Sequence, residues 1–392
     1  MSVTRAAGFS AAGVTAGLKP SGRPDLALVV NTGPDHVAAA VFTSNRVKAA
    51  PVLWSQQAVA DGRLRAVVLN SGGANACTGP AGFGDTHRTA ELVAEALSAA
   101  LSMNGAEVGA GDVAVCSTGL IGTRLPMDLI TLGVRAAAGA LDEDGGADAA
   151  RAIMTTDTVP KTAGYADEGW SVGGMAKGAG MLAPGLATML VVITTDAVLD
   201  VTAADAHLRT ACAATFDRVD SDGCMSTNDT VVLMSSGASG VRPTAHDFQA
   251  ALDETCHDLA MQLLRDAEGA AHDIAIEVEH AASDADALEV ARAVARSNLF
   301  KCAVFGGDPN WGRVLAALGT TRADFDPDRI DVSFNGVEVC RDGAIGEDRS
   351  LVDLSAREVR VAINLRNGRG SATVWTNDLT YDYVKENAEY ST

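Results

Sequence analysis

The segment from Gly173 to Ile193, G-G-M-A-K-G-A-G-M-L-A-P-G-L-A-T-M-L-V-V-I, sets the tightest limit on what this chain can become. Five glycines and a proline run directly into an apolar, β-branched stretch. Glycine admits positive φ and close backbone approach, so the segment reads as a tightly folded loop that feeds a buried strand. Thr188 stands at the start of that strand. The strand needs an interior to enter, and the composition says what kind. With 47% apolar but only 4% aromatic residues, that interior is built mostly from Ala, Val, Leu and Gly, which favours close packing of elements. A length of 392 residues suits two or three domains or one large layered one.

Shorter patterns fill in the frame. Leu26–Val30 and Ala66–Leu69 read as strands ending in Asn/Gly-rich turns. His246–Arg265 places Phe248, Leu252, Leu259 and Leu263 on one helical stripe. Ile274, Ile276 and Val278 alternate with polar positions, which predicts a half-exposed strand. A second helix follows it, opened by Ser283 and Asp286 as a capping box and carrying Ala287, Val290, Ala291, Val294 and Ala295. The result is mixed α and β without internal repeats or low-complexity linkers.

Charge and cysteines narrow the function classes. Thirty basic against fifty acidic residues leave a formal charge of -20, and no Lys/Arg run offsets it, so nucleic-acid binding is not expected and a cationic small substrate fits better. The seven cysteines are an odd number without C-x-x-C pairing, which reads as reduced, mostly buried thiols in a cytoplasmic protein. Histidine spacing gives no metal motif, and neither G-x-G-x-x-G nor G-x-x-x-x-G-K-[ST] is present. The first twenty residues form no secretory core. The longest apolar stretch, Met181–Ile193, is broken by Pro184, Gly185 and Thr188 and falls short of the ~20 residues of a membrane span.

Several patches carry candidate chemistry. A threonine hydroxyl needs an adjacent base, and one way to supply it is the threonine's own α-amine, freed when the Ala187–Thr188 bond breaks. That amine titrates near ~8, so a useful fraction is neutral at physiological pH. A glycine-rich loop can hold the distorted peptide that such cleavage requires. Alternatively the loop is only a turn entering a strand. Val115–Gly122, V-C-S-T-G-L-I-G, can aim the Thr118 hydroxyl and the Gly119 N–H at one developing oxyanion, or serve as an ordinary strand-to-helix turn. Met154–Thr158 and Ser226–Thr230 are hydroxyl-rich and could bind a polar substrate or form turns and caps. Asp308–Arg313, D-P-N-W-G-R, reads as a rigid turn carrying an exposed Trp or Arg.

Taken in order, C-S-T-G-L-I-G, M-T-T-D-T, K-G-A-G-M-L-A-P-G-L-A-T-M-L, S-T-N-D-T, D-A-E-G-A and D-P-N-W-G-R resemble ornithine acetyltransferase, also called bifunctional glutamate N-acetyltransferase. The likeness runs over essentially the whole chain, to Tyr390-Ser-Thr392. It implies self-cleavage between Ala187 and Thr188, with Thr188 as nucleophile and Thr118 and Gly119 as the oxyanion hole. It also implies substrate contacts at Thr155, Lys177, Thr188, Glu268, Asn387 and Thr392. A carboxylate at Glu268 suits an amino group, and an ammonium at Lys177 suits a carboxylate. Without the resemblance, Glu268 would pass for a solvated helix-end charge and Lys177 for a surface loop charge. Departures from the family pattern are Gly185, where a polar residue is usual, and Ala271-His272 after E-G-A, where His272 could alter the charge near Glu268.

The resemblance further implies an α/β fold, a layered sandwich of sheets flanked by helices like that of N-terminal-nucleophile hydrolases, with a smaller C-terminal α/β domain. Residues 1–187 would form an α chain with the oxyanion hole and cleavage loop. Residues 188–275 would form the nucleophile strand and core of a β chain, and 276–392 its C-terminal domain and substrate-contacting tail. The implied activity moves an acetyl group from N-acetylornithine to glutamate, a step of arginine biosynthesis, by a ping-pong route through acetyl-Thr188. A self-cleaving aminopeptidase or amidase is the alternative enzyme, and a non-enzymatic binding protein the third possibility. No cofactor or metal is expected. Acetyl-CoA stays open as a second donor, since no R/Q-x-x-G-x-G/A coenzyme-A signature is present. The expected partners are the small-molecule substrates and the α and β chains of one precursor, two of each in a heterotetramer, with no nucleic acid and no membrane.

Overall fold

The structure, a computed structural model, describes residues 2–101, 108–183 and 189–389. In chain order the first part contains β1 (Phe9–Val14), β2 (Leu26–Asn31), β3 (Val37–Phe42), α1 (Ala50–Ala58), β4 (Ala66–Asn70), α2 (Gly79–Leu101) and β5 (Val113–Ser117). Next come α3 (Met127–Gly139), α4 (Gly146–Ala152), β6 (Lys161–Asp167), β7 (Trp170–Lys177), β8 (Leu190–Thr195), α5 (Val201–Ala214), β9 (Thr230–Ser235) and α6 (Ala245–Arg265). The last part contains β10 (Asp273–Ala281), α7 (Asp284–Ala295), α8 (Asn298–Phe305), α9 (Trp311–Leu318), β11 (Asp331–Phe334), β12 (Val337–Arg341), β13 (Ala344–Ile345), β14 (Glu358–Asn364), β15 (Gly370–Asn377) and α10 (Tyr381–Glu389).

These elements make three sheets, ordered β1-β2-β4-β5, β3-β9-β8-β7-β6 and β13-β12-β11-β14-β10-β15. The first two stack face to face. Ala27 and Val29 of β2 pack with Leu190 and Val192 of β8 between the sheets, while Leu26, Leu28 and Val30 point the other way, toward α2 and α3. Val191 and Ile193 of β8 face α5 and α6 in turn. Side chains alternate across a strand, so strands buried on both faces need unbroken apolar runs. That requirement is met by L-A-L-V-V and L-V-V-I. The layers are therefore helix, sheet, sheet, helix: the layered α/β sandwich that the family resemblance implies.

The third sheet forms its own core with α7, α8 and α9. Ile274, Ile276 and Val278 turn inward on β10, and Ser283 caps α7 by accepting the Asp286 N–H at 3.1 Å. This smaller C-terminal α/β unit starts at Asp273, where β10 begins.

Two sequence expectations need correction. The glycine-rich segment is not loop throughout, because Gly173 and Gly174 lie in the middle of β7 with ordinary strand pairing to β6 and β8. They are small because space is short there. A Cβ on Gly173 would sit 2.1 Å from the Ser2 carbonyl oxygen, and one on Gly174 would sit 2.9 Å from Leu259 Cδ1. The D-P-N-W-G-R run is a turn only as far as Asn310, whose side chain caps α9 by accepting the Arg313 N–H. Trp311 is half-buried against the C-terminal core rather than exposed.

Candidate active site

The ends of β5 from the first sheet and β7, β8 and β9 from the second meet at one place. Lys177 closes β7 opposite Leu190 at the start of β8, and Leu190 in turn lies opposite Thr230 at the start of β9. Just before β9, the Asn228 side-chain amide donates to the carbonyls of Ala74 at 2.6 Å and Ser117 at 2.8 Å, which staples the two sheets together at this edge. In the S-T-N-D-T run, which the sequence leaves open between a polar-substrate patch and turns or caps, Ser226 through Thr230 are all buried and the Thr230 hydroxyl donates to the Asn228 carbonyl.

Thr118 and Gly119 follow β5 directly. The Thr118 N–H donates to the Asn70 carbonyl at 2.9 Å, and its carbonyl accepts the Gly73 N–H at 3.0 Å. Gly119 has φ +126, and a Cβ there would meet the Gly73 nitrogen at 2.8 Å, so glycine is required on both counts. The Lys177 ammonium donates to the Thr118 hydroxyl at 3.4 Å. Lys177 is 2% exposed, a buried cation and not a loop charge on the surface. Burial pushes its pKa down, and nearby carboxylates, Asp157 foremost, act against that.

A ladder of buried charges leads away from Lys177. Its ammonium lies 3.8 Å from Asp157 Oδ2. Asp157 Oδ1 accepts Lys161 Nζ at 2.6 Å and the Gly178 N–H at 2.7 Å, while Oδ2 accepts the Thr155 N–H at 2.9 Å. Lys161 also donates to Asp266 Oδ2 at 2.6 Å. Burial alone would raise the Asp157 carboxyl, but the Lys177 and Lys161 ammoniums and the Gly178 N–H override it and hold the group well below the usual carboxylate range. Beside this ladder, Lys19 donates to the carbonyls of Met154 at 2.6 Å and Pro24 at 2.9 Å. Burial, with the Arg23 guanidinium next, lowers its pKa to about 8.

A further buried acid faces the start of β8. Asp229 is fully buried, and its Oδ1 accepts the Met189 N–H at 3.1 Å. Burial pushes its pKa well above the usual carboxylate range, despite the opposing Met189 hydrogen bond and Lys177 charge.

The second group of predicted residues lines a cavity of about 630 Å³ with Thr156, Thr158, Asp266, Glu268, Glu386 and Asn387 on its wall. Glu268 lies beyond the end of α6, half-buried, and its Oε2 accepts from the exposed Asn387 amide of α10 at 3.1 Å. The Glu268 N–H donates to the Ala179 carbonyl at 2.9 Å, and its carboxylate lies over Gly180, where a Cβ would sit 2.7 Å from Oε2. Two residues after Lys177 the chain therefore touches the cavity wall, which joins the two groups. The His272 ring nitrogens engage Asp378 at 2.7 Å and the Leu354 carbonyl at 3.1 Å.

Of the residues singled out from sequence, Thr118, Gly119, Thr155 and Lys177 are gathered around the strand ends and Glu268 and Asn387 at the cavity. Ala187, Thr188 and Thr392, and the departure at Gly185, lie outside the described residues. Sequence reasoning missed Lys161, Asp229 and Asp266, and assigned no role to Asp157. The one available signal was an acidic or basic residue inside an otherwise apolar or hydroxyl-rich run. Among the described residues no His/Cys/Asp/Glu group could hold a metal ion, and no helix is long and apolar enough to cross a membrane.

Fold and site together define an enzyme built on a layered α/β sandwich, with a buried hydroxyl and ammonium at its strand ends and an acid-lined cavity beside them. The ArgJ family model matches residues 10–392, and the chain belongs to the ArgJ family, whose members act in arginine biosynthesis. It is 64% identical over 391 residues to the arginine biosynthesis bifunctional protein ArgJ of Streptomyces coelicolor, covering 100% of both chains. It is 59% identical over 394 residues to the protein of the same name from Mycobacterium leprae, covering 99% of this chain and 95% of that one. Among solved structures, ornithine acetyltransferase complexed with ornithine, from Mycobacterium tuberculosis, is 61% identical; it covers 48% of this chain and 96% of its own, with a TM-score of 0.45.

Proposed function

We propose that this chain is an N-acetyltransferase that cleaves itself between Ala187 and Thr188 and then carries acetyl from N-acetylornithine to glutamate on the Thr188 hydroxyl. The observation that carries this reading is the buried Lys177 ammonium 3.4 Å from the Thr118 hydroxyl, at the end of the strand paired with the one that Thr188 and Met189 lead into. The freed α-amine of Thr188 takes the hydroxyl proton as the oxygen attacks the acetyl carbonyl. The Thr118 hydroxyl and Gly119 N–H face the negative oxygen of the tetrahedral intermediate, a form of stabilisation worth about 3–4 kcal/mol per donor in well-studied enzymes. The C–N bond then breaks, the proton passes to the departing nitrogen, and ornithine leaves. The glutamate amine attacks the acetyl ester, N-acetylglutamate is released, and the hydroxyl and amine of Thr188 are restored.

Thr155, Lys177, Glu268, Asn387 and Thr392 are the substrate-binding residues in this scheme. Glu268, with the neighbouring acids of the cavity, suits the free ammonium of N-acetylornithine, and Lys177 suits a carboxylate. Acetyl-CoA is a second possible donor. The two pieces of the precursor stay together as α and β chains, two of each, in the cytoplasm.

The test is a trapped intermediate. Enzyme mixed with N-acetylornithine and no glutamate gains one acetyl on the peptide beginning Thr-Met-Leu-Val, read by mass spectrometry. Glutamate discharges it faster than water does, because a bound amine is held in attacking geometry. Thr188→Ala leaves a single full-length chain and gains no acetyl. An adduct on Cys116 or on any residue other than Thr188 overturns the mechanism, and faster discharge by water identifies an amidase.

A further inference from the structure

Lys177 presents a physical problem that its proposed role does not solve. A cation 2% exposed has lost its water, and in that setting the neutral amine is favoured unless a negative charge stands close by. Asp157, Glu268 and Asp229 are the acids that act on it, against the repulsion of Lys161 and Lys19. Asp229 is a poor counter-ion, since burial favours its neutral form. Glu268 is half-buried, lines the cavity and is bonded to Asn387. Asp157 remains, at 3.8 Å.

Asp157 is also held in place from several sides. The Gly178 N–H fixes it to the residue after Lys177, and the Thr155 N–H fixes it to the turn after α4. Lys161 shares it, but the Lys161 charge is itself answered by Asp266, which also accepts the N–H and hydroxyl of Thr158. Signs alternate along Lys177, Asp157, Lys161 and Asp266, so the negative charge of Asp157 is not used up by Lys161. The far end of the ladder, Asp266 and Thr158, lies on the cavity wall.

We propose that Asp157 is a positioning residue for acetyl transfer: it is the counter-ion that keeps Lys177 charged and aimed at the Thr118 hydroxyl, with Lys161 and Asp266 fixing Asp157 in turn. This inference rests on the proposed Thr188 mechanism, in which the Lys177 ammonium, besides suiting a substrate carboxylate, donates to the Thr118 hydroxyl that faces the tetrahedral oxygen. A purely structural ion pair would stabilise the fold without setting the pH at which the enzyme stops working. As counter-ion, Asp157 sets where the alkaline limb of kcat falls, because that limb is the loss of the Lys177 proton.

The experiment compares the pH profile of kcat for acetyl transfer from N-acetylornithine to glutamate in wild type, D157N and K161M, with thermal melting of each. D157N removes the negative charge, so Lys177 loses its proton more readily and the alkaline limb moves to lower pH by roughly one unit or more. K161M removes a competing cation and leaves both carboxylates, so the limb moves to higher pH. The acid limb, which belongs to the Thr188 amine, stays in place in both. Opposite displacements support the proposal. Displacement in the same direction, or loss of melting temperature with both limbs unmoved, overturns it. If D157N does not fold, the K161M displacement alone decides, and an unmoved limb overturns the proposal. Trapping of acetyl on wild-type Thr188 is measured alongside. Without that adduct the underlying mechanism fails, whereas an adduct with unmoved limbs refutes only the role of Asp157.

Discussion

The Asp229 carboxyl accepts the Met189 N–H at 3.1 Å, so a fully buried acid grips the amide whose carbonyl partner belongs to Thr188. Burial keeps this acid toward its neutral form, which asparagine mimics closely while retaining an oxygen acceptor. Asp229→Asn is therefore expected to cleave itself normally. Asp229→Leu leaves the Met189 N–H without that acceptor, at a cost of about 1–3 kcal/mol, and loosens the start of β8. Uncut precursor accumulates in the leucine variant and not in the asparagine one, as judged by the ratio of full-length chain to fragments on a denaturing gel over time. Equal processing of both variants would show that the grip has no part in cleavage.

Gly119 leaves no room for a side chain. With φ +126 and a Cβ only 2.8 Å from the Gly73 nitrogen, Gly119→Ala displaces the loop that presents the Thr118 hydroxyl. Loss of one oxyanion donor lowers kcat by roughly 10²–10³-fold. KM for N-acetylornithine changes little, because the cavity around Glu268 is built by other elements. Steady-state kinetics separates the two constants, and a rise in KM with kcat preserved would remove Gly119 from the oxyanion site.

Glu268→Gln keeps the shape of the cavity wall and removes a charge. A charge-assisted hydrogen bond contributes about 1.5–3 kcal/mol, and the partial exposure of Glu268 places the expected loss near the lower figure, roughly a tenfold rise in KM for N-acetylornithine. The effect weakens with added salt. An unchanged KM would make Glu268 a bystander.

The cysteines divide by burial. Cys77, Cys224 and Cys302 are exposed, whereas Cys116, Cys212, Cys256 and Cys340 are buried. Burial pushes the Cys116 thiol up to about 12, so it holds its proton throughout the working pH range. A thiol reagent at pH 8 should label the exposed group readily and the buried group only after denaturant is added. Prompt labelling of Cys116 in the native enzyme would contradict the closed packing between the two stacked sheets.

Much of this was legible in the sequence wherever a local pattern has a local cause. The apolar runs that became β2, β4 and β8 are buried on both faces, and the stripe on α6 and the Ser283 cap on α7 lie where periodicity and capping chemistry put them. Thr118, Gly119 and Lys177 were visible because short motifs carry them. What stayed hidden depends on distance along the chain. Lys161 finds Asp266 across 105 residues, and Asn228 finds Ser117 across 111, pairings that no spacing rule announces. Gly173 and Gly174 misled for another reason. Glycine in a sequence suggests unusual backbone, but in β7 it marks where Ser2 and Leu259 press close.

The second sheet has a mechanical consequence. β3, β6 and β7 precede residue 187, β8 and β9 follow residue 188, and β8 is hydrogen-bonded between β7 and β9. Cutting the chain between them severs one covalent link and no ladder bond between the described strands. The two pieces would then be related as the halves of a zip fastener, so that parting them means opening the interior itself. Dissociation and unfolding become a single event, and two separately made polypeptides ending at Ala187 and starting at Thr188 could assemble only by folding together.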